Sequence, residues 1–292
     1  MHPGIGSRLI RLAGPLLAVA LLATSPPASA DCQNSLNLEG IVSLELCTPG
    51  DKCVEAESVL HDYAMAATSK VAENTLVLEV HASPWRLYDG SMRILTIEEM
   101  AGNMKSTLKL NPNVQQIALL ASWTGVAPDP NGKSIAQKLS EALDGFPVTG
   151  MDGFLWIAKD GSLRTTHQAF TVIKPGRRPY WIHPGDEVMV SLAEGYYVWF
   201  EDVFIEKREP AGVRRAAAAW DIYMLCPDRA LLSFESAAAL SDPIAAYDAA
   251  LIRLERGKEG DLEAATRLLN LASKLGDKKA KARLREMSRQ GR

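Results

Sequence analysis

The chain has 292 residues, of which 47% are hydrophobic and 23% charged, and it contains 21 glycines and 16 prolines. These proportions fit an ordinary folded protein and exclude a collagen-like, low-complexity or mainly disordered chain. A formal charge of -3 and a pI near 6.0 also argue against a dedicated nucleic-acid-binding protein, which carries a strong basic excess. The length allows one large domain or two of modest size.

The first 30 residues have the layout of a secretory signal peptide. Arg8 and Arg11 form a positive front, residues 16–22 are a continuous apolar stretch, and small residues end the segment at Ala30. We therefore predict cleavage after Ala30 and a periplasmic or secreted protein without a membrane span. An uncleaved membrane anchor is the alternative, but its apolar core is shorter than the roughly 20 residues that cross a bilayer.

All four cysteines follow the predicted cleavage site, and an oxidising compartment favours disulfides between them. Four cysteines allow three pairings. The pairing that we favour joins Cys47 to Cys53 across the turn between them and ties Cys32 to Cys226. A zinc site would require tighter cysteine spacing and nearby histidines, and no phosphate-binding or dinucleotide motif is present. We predict no metal and no cofactor.

The mature chain begins with alternating helix and strand patterns. Apolar residues at helical spacing predict a helix over 54–71, and a β-rich run predicts a strand over 75–80. Thr96, with Glu99 three residues later, forms a capping box that opens a helix ending near Leu110. This order of elements is the beginning of an alternating α/β arrangement.

The alternation continues through two further strands. A buried strand is predicted over 116–122, an amphipathic helix over 134–143, and a third strand over 154–157 that a tight turn joins to a return strand over 163–166. Strands and helices in this order predict an α/β fold with a mostly parallel sheet covered by helices. In such a sheet, a functional site lies at the carboxyl ends of the strands.

The remainder of the chain changes from strand patterns to helical patterns. Residues 188–192 and 196–205 are predicted as strands of a β extension, and helices follow over 213–225, 230–240, 244–256, 262–275 and 278–287. The predicted organisation is a signal peptide, a cysteine-containing segment with a helix, an α/β domain with a β extension and a C-terminal helical region, over 1–30, 31–74, 75–209 and 210–292.

Two strand ends carry residues that could perform chemistry. The first strand runs into His81, and the second runs into Ser122. If these strands are neighbours in a parallel sheet, a base and a hydroxyl emerge at the same edge, where they could form a nucleophilic pair.

Around these strand ends the sequence resembles the caspase-like fold of clan CD cysteine peptidases, especially the relatives attached to secreted bacterial toxins. The matching motifs, spread over residues 75–165, are His81-Ala82, Ala121-Ser-Trp-Thr-Gly125, Ser134-Ile-Ala-Gln137, Phe146-Pro-Val-Thr149 and Gly153-Phe-Leu-Trp156. The resemblance implies a caspase-like domain in which His81 and Ser122 occupy the positions of the family's catalytic histidine and cysteine.

The chain departs from the family at the nucleophile, where Ser122 replaces the cysteine, and at Ala82, which replaces a glycine. A thiolate forms near neutral pH because the pKa of a free cysteine is about 8.5, whereas an alcohol needs an activating base and an oxyanion hole. We therefore predict a pseudoenzyme in which Trp123 fills the former substrate cleft. Its function would be to bind a protein partner in the cell envelope, as a toxin-associated or immunity-type protein.

The alternative enzyme is a serine-dependent peptidase or acyl hydrolase. Its nucleophile would be Ser122, its base His81, and its oxyanion donors the backbone N–H groups near Thr124 and Gly125. In the pseudoenzyme, residues 123–125 would instead contribute to the binding surface.

An aromatic group that includes Trp181, Tyr197 and Trp199 is either a buried core or an exposed platform. As a platform it would suit a protein or a glycan, and a glycan-binding envelope protein is therefore the third function considered. The tail between Gly260 and Leu284 is similar to a single Sel1-like tetratricopeptide unit. Because stacking needs about three repeats, such a unit would cap the main domain or present a groove to a partner.

Overall fold

The computed structural model describes residues 65–157, 161–166 and 201–290. In these ranges the fold is mixed α/β, with a small parallel sheet, antiparallel strand pairs and a C-terminal helical region. Residues 65–68 are helical and belong to the helix predicted over 54–71, whose first part lies outside the described residues. The predicted strand over 188–192 also lies outside them.

The first part of the described chain contains all of its strands. They are β1 (Thr75–Glu79), β2 (His81–Ala82), β3 (Leu87–Tyr88), β4 (Ile94–Leu95), β5 (Gln116–Leu120), β6 (Val148–Thr149), β7 (Phe154–Ile157) and β8 (Leu163–Thr166). Between them lie α1 (Ile97–Leu110) and α2 (Ile135–Ala142). β1, β5 and β6 form the parallel sheet in that order, whereas β2, β3 and β4 pair antiparallel, as do β7 and β8.

The third strand of the parallel sheet is not the predicted one. The strands predicted over 75–80 and 116–122 are confirmed as β1 and β5, but residues 154–157 form β7, which pairs antiparallel with β8. The two-residue strand β6 lies beside β5 instead. This part of the prediction is wrong because two residues are too few to produce a periodic signal, whereas an apolar run of four indicates a strand without indicating its sheet.

Local capping residues define where α1 and α2 begin. The Thr96 hydroxyl accepts a hydrogen bond from the N–H of Glu99, and the Glu99 carboxylate accepts one from the N–H of Thr96, both at 3.2 Å. The predicted capping box is therefore confirmed. Ser134 and Gln137 form a second capping box at the start of α2.

The second part of the described chain is helical. Its helices are α3 (Glu201–Glu206), α4 (Pro210–Ile222), α5 (Pro227–Ala239), α6 (Pro243–Arg256), α7 (Asp261–Lys274) and α8 (Lys278–Gln290), and each contacts the next in sequence. The five helices predicted after residue 210 are confirmed as α4 to α8.

The strand predicted over 196–205 is wrong for residues 201–205, which belong to α3, and residues 196–200 lie outside the described ranges. Glu201 and Phe204 are both buried, although residues three apart on a strand would point to opposite faces. Their burial on one face therefore follows the helical period.

The apolar cores join the strands to both sets of helices. α1 and α2 contact each other and pack with Ile117 and Leu119, which share one face of β5. A second core brings Tyr88 and Trp123 into contact with α3 to α6, and the Tyr88 ring stacks on that of Phe234 with 6.4 Å between centroids. The α/β part and the helical part thus share one continuous core.

Candidate functional site

The carboxyl ends of β1 and β5 lie side by side. The strand register pairs Glu79 with Leu120, and His81 and Ser122 each follow two residues later. His81 then enters β2, where it pairs with Tyr88 and is half-buried, and Ser122 is 8% exposed. The two predicted site residues therefore share one end of the sheet.

The hydroxyl of Ser122 holds the neighbouring β-hairpin. Its Oγ accepts a hydrogen bond of 3.0 Å from the backbone N–H of Leu155, a buried residue of β7. An N–H group in the interior requires an acceptor, and here the serine side chain supplies one. Ser122 thereby ties the end of β5 to β7.

Backbone N–H groups beside Ser122 are bonded within the fold. The N–H of Trp123 donates to Gly153 O at 2.8 Å, and that of Gly125 donates to Met151 O at 2.8 Å. The N–H of Val126 donates to Trp123 O at 3.0 Å. An oxyanion hole needs donors directed at the oxygen of the reacting group. These three amides are directed at carbonyl groups of the protein instead.

Thr124 and Gly125 bring two backbone segments into close contact. A Cβ atom on Gly125 would lie 2.8 Å from Gly150 O, and one on Gly150 would lie 2.6 Å from the carbonyl carbon of Thr124. The buried Thr124 hydroxyl donates to Ala121 O at 2.8 Å and accepts from the N–H of Met151 at 3.1 Å. Glycine is needed at both positions because a side chain on either would collide with the opposite backbone.

Trp123 leaves the end of the sheet and enters the core shared with the helices. Its φ angle of 66° lies in the left-handed region, which costs a residue with a Cβ about 1–2 kcal/mol. The side chain is 7% exposed and belongs to the same core as Met92 and Val213. Burial of the large indole offsets the backbone strain.

Other residues predicted for the site or for disulfides lie mostly outside the described residues: Trp181, Tyr197, Trp199, Cys32, Cys47 and Cys53. Cys226 is fully buried directly before α5, and its Sγ lies 3.3 Å from Met224 O. The pairing of Cys32 with Cys226, and that of Cys47 with Cys53, remain predictions.

Buried charges are concentrated where residues 83–96, which we call the linking segment, cross the helices. Arg93 forms an ion pair with Asp277, which lies directly before α8. The N–H of Ile94 donates to Oδ1 of Asp248 on α6 at 2.9 Å. These contacts fix the linking segment on two helices that lie more than 150 residues later in the chain.

Asp221, on α4, is the centre of this group. The fully buried carboxylate accepts hydrogen bonds from Ser83 Oγ at 2.8 Å, Arg86 Nη1 at 2.8 Å and Tyr88 Oη at 2.7 Å. Arg86 also pairs with Glu255 on α6 at 2.7 Å. Burial is the largest single effect and would lower the pKa of Arg86, but the combined effects of Asp221, Tyr88 and Glu255 exceed it, so the pKa is raised.

Asp248 is also fully buried, and its Oδ2 has no hydrogen-bond partner among the described residues. Burial raises its pKa well above the ordinary value, against the opposing effects of the Ile94 N–H and Arg93. Neither this residue nor Asp221 was among the site residues predicted from the sequence. The available signal was an acid between apolar neighbours on an alanine-rich helix, as in Trp220-Asp221-Ile222.

A family model, Domain of unknown function (DUF8616), matches residues 42–165, less than half of the chain. The match ends within β8 and stops before α3 to α8. No curated protein and no solved structure matches the chain. Within the described ranges, no helix combines the length and hydropathy needed to span a bilayer, and no three His, Cys, Asp or Glu residues form a group able to hold a metal ion.

Proposed function

We propose that the protein is an exported, non-catalytic binding protein built on a degenerate caspase-like domain. The observation that carries the proposal is the bonding of Ser122, whose hydroxyl accepts the Leu155 N–H while the amides of Trp123, Gly125 and Val126 are bonded to protein carbonyls. A nucleophilic serine needs a base for its proton and free donors for the oxyanion. To free the amides of Trp123 and Gly125, the loop would have to separate from residues 151–153, and to free that of Val126, the turn that bonds it to Trp123 O would have to open.

The positions of the resembling motifs support the caspase-like part of the proposal. β1 ends just before His81, β5 ends just before Ser122, and α2 begins just after Ser134. The resemblance to the caspase-like family predicts its motifs at these same places, at the ends of two strands and at the start of a helix. The parallel pairing of β1 with β5 also agrees with it.

Binding of a partner would depend on a surface of fixed shape, because the α/β part and the helical part are joined into one body. Tyr88 and Trp123 lie in the core shared with the helices, and Asp221 receives three hydrogen bonds from the linking segment. We infer that such a rigid surface docks a protein of the cell envelope, of the toxin-associated or immunity type. The assignment to the envelope follows from the predicted signal peptide.

A serine-directed fluorophosphonate probe tests the absence of catalysis. We expect purified wild-type protein to be labelled no more than Ser122→Ala. Ser106→Ala is the matched control, because Ser106 is an exposed serine on α1. Labelling of the wild type and of Ser106→Ala that disappears in Ser122→Ala would overturn the proposal in favour of a serine hydrolase.

Chemical cross-linking in envelope extract tests the binding function. The full mature chain is required, because removal of residues 210–292 would uncover Tyr88 and Trp123. We expect one stoichiometric cross-linked protein, identified by mass spectrometry, that is displaced by excess unlabelled chain. Cross-links that excess chain does not displace, or none at all, would contradict a specific partner.

A further inference from the structure

The last helix, α8, is strongly basic. Its 13 residues include six lysines and arginines and a single acid, a net charge of +5, whereas the whole chain carries -3. The rest of the protein is therefore acidic on balance. Surfaces of soluble proteins normally intersperse charges of both signs, so a helix of one sign produces a local positive field on an otherwise acidic molecule.

Four of these cations form one stripe along α8. Their positions recur every three or four residues, which places them on one face of the helix over about 16 Å. They are all exposed: Lys278, Lys281, Arg285 and Arg289. Among the described residues, none of the four side chains has an ion-pair or hydrogen-bond partner. The other two cations of the helix are paired, Lys279 with Glu99 at 3.0 Å and Arg283 with Glu286 at 2.7 Å.

Another side of α8 holds the helix in the fold. Ala280 is fully buried, and Leu284 and Met287 pack in the same apolar cluster as Leu269 and Ala272 of α7. The stripe is therefore carried on a fixed backbone with its cations in water. Because the apolar side chains of α8 are already packed on α7, the helix has no apolar face left with which to enter a bilayer.

We propose that this stripe docks the protein on the surface of an anionic phospholipid bilayer. Clusters of four or more lysines and arginines adsorb to anionic lipids by charge alone, with a gain of about fivefold in affinity for each cation. A protein interface instead needs an apolar core and is depleted in lysine, and the stripe contains no apolar side chain. A nucleic-acid-binding protein carries an overall basic excess, which this chain lacks.

Docking on lipid goes beyond the proposed function and does not depend on it. Ser122 and His81 lie at the end of the parallel sheet, whereas the stripe lies on the last helix. Attachment through α8 would leave the rest of the surface for a protein partner. The two proposals therefore fail or succeed in separate experiments.

Co-sedimentation of the full mature chain with vesicles tests the docking. Vesicles of phosphatidylcholine with about one third phosphatidylglycerol are compared with vesicles of phosphatidylcholine alone. We expect binding to the anionic vesicles to be at least about tenfold tighter. It should be lost when the ionic strength is raised from about 0.1 M to about 1 M, because the Debye length falls from about 10 Å to about 3 Å. Equal binding to both kinds of vesicle, or no binding to the anionic ones, would overturn the proposal.

Two charge-matched double variants separate the stripe from general attraction by positive charge. Lys281→Gln combined with Arg285→Gln should weaken binding to the anionic vesicles about thirtyfold, which is about fivefold for each charge. Lys109→Gln combined with Lys207→Gln removes two exposed cations outside α8 and should weaken binding less than about threefold. Thermal melting should find both variants folded, because all four side chains are exposed. Equal weakening by the two double variants would contradict the stripe.

Other classes of partner would give different results. Tighter binding to a labelled DNA duplex than to the anionic vesicles in the same buffer would overturn the lipid assignment in favour of nucleic acid. If no vesicle binds and the protein cross-linked in envelope extract is lost with the α8 double variant, the stripe belongs to an acidic protein partner instead. If no vesicle binds and that cross-linked protein is retained, the docking proposal alone fails and the proposed function stands.

Discussion

The end of the parallel sheet and the linking segment use buried polar groups in different ways. At the sheet end, Ser122 and Thr124 bond to backbone groups of the same α/β part. In the linking segment, Arg86 and Tyr88 bond instead to Asp221, which lies more than 130 residues away on α4. The first set fixes the shape of one loop, whereas the second set joins the two parts of the molecule.

The difference in partners implies a difference in energy. A hydrogen bond between neutral groups contributes about 1 kcal/mol to the free energy of unfolding, whereas removal of one member of a buried ion pair costs about 3–5 kcal/mol. The two regions should therefore respond very differently to the loss of a single side chain.

Asp221→Ala should have the largest effect. It leaves Ser83, Arg86 and Tyr88 without their shared acceptor and should lower the free energy of unfolding by about 3–5 kcal/mol. Urea denaturation followed by circular dichroism measures the change. Asp228→Ala, at a side chain 77% exposed on α5, should change it by less than about 0.5 kcal/mol. Equal effects of the two substitutions would show that the buried carboxylate of Asp221 stabilises the fold no more than an exposed one.

Ser122→Ala should have an intermediate effect. The substitution leaves the buried N–H of Leu155 without an acceptor and should lower the free energy of unfolding by about 1–2 kcal/mol. Ser106→Ala on the exposed face of α1 should change it by less than about 0.5 kcal/mol in the same urea experiment. If Ser122→Ala is as stable as the wild type, the hydroxyl does not hold the β-hairpin.

Asp248→Asn should have the smallest effect of the three substitutions on the free energy of unfolding. Its effect should be smallest at acid pH and grow as the pH rises. In the unfolded chain this carboxyl ionises near pH 4, whereas burial raises its pKa in the fold, where Arg93 and Arg214 oppose the shift and Asp89 adds to it. The carboxyl group of Asp248 therefore binds its proton more tightly in the folded state than in the unfolded state. The contribution of Asp248 to stability is complete below about pH 4 and is lost as pH rises through the folded pKa.

Asparagine does not ionise and still offers an oxygen to the N–H of Ile94. The variant should match the wild type within about 0.5 kcal/mol at pH 4 and become the more stable of the two as pH rises to 8. Urea midpoints at pH 4, 6 and 8 test this, with Asp144→Asn, at a side chain 88% exposed, expected to follow the wild type. A constant difference between Asp248→Asn and the wild type would show that the carboxyl does not titrate differently in the fold.

Features encoded by near neighbours were predictable from sequence. The capping box of Thr96 and Glu99 lies within four residues, and the helical tail is marked by Pro243 at the start of α6 and Gly257 at its end. The parallel pairing of β1 with β5, which brings the ends at His81 and Ser122 together, follows from the alternation of elements.

Features that depend on distant partners were not predictable in this way. The position of β6 in the sheet depends on its pairing with β5, and two residues carry too little pattern to reveal that pairing. Likewise, the bonding of Ser122 depends on where Leu155 lies, and the role of Arg86 depends on Asp221. The identity of each of these residues determines which hydrogen bonds it can form, but only the fold brings the partners within hydrogen-bonding distance.

The span of 135 residues between Arg86 and Asp221 also affects how the protein is made. Synthesis delivers the amino-terminal part first, so Tyr88 and Trp123 have no covering surface until α4 and α5 have followed them. The fold can therefore be completed only after the last third of the polypeptide has been synthesised. Until then, exposed aromatic surface favours aggregation. A nascent chain of this kind benefits from a chaperone that keeps it apart from its copies until its C-terminal end emerges.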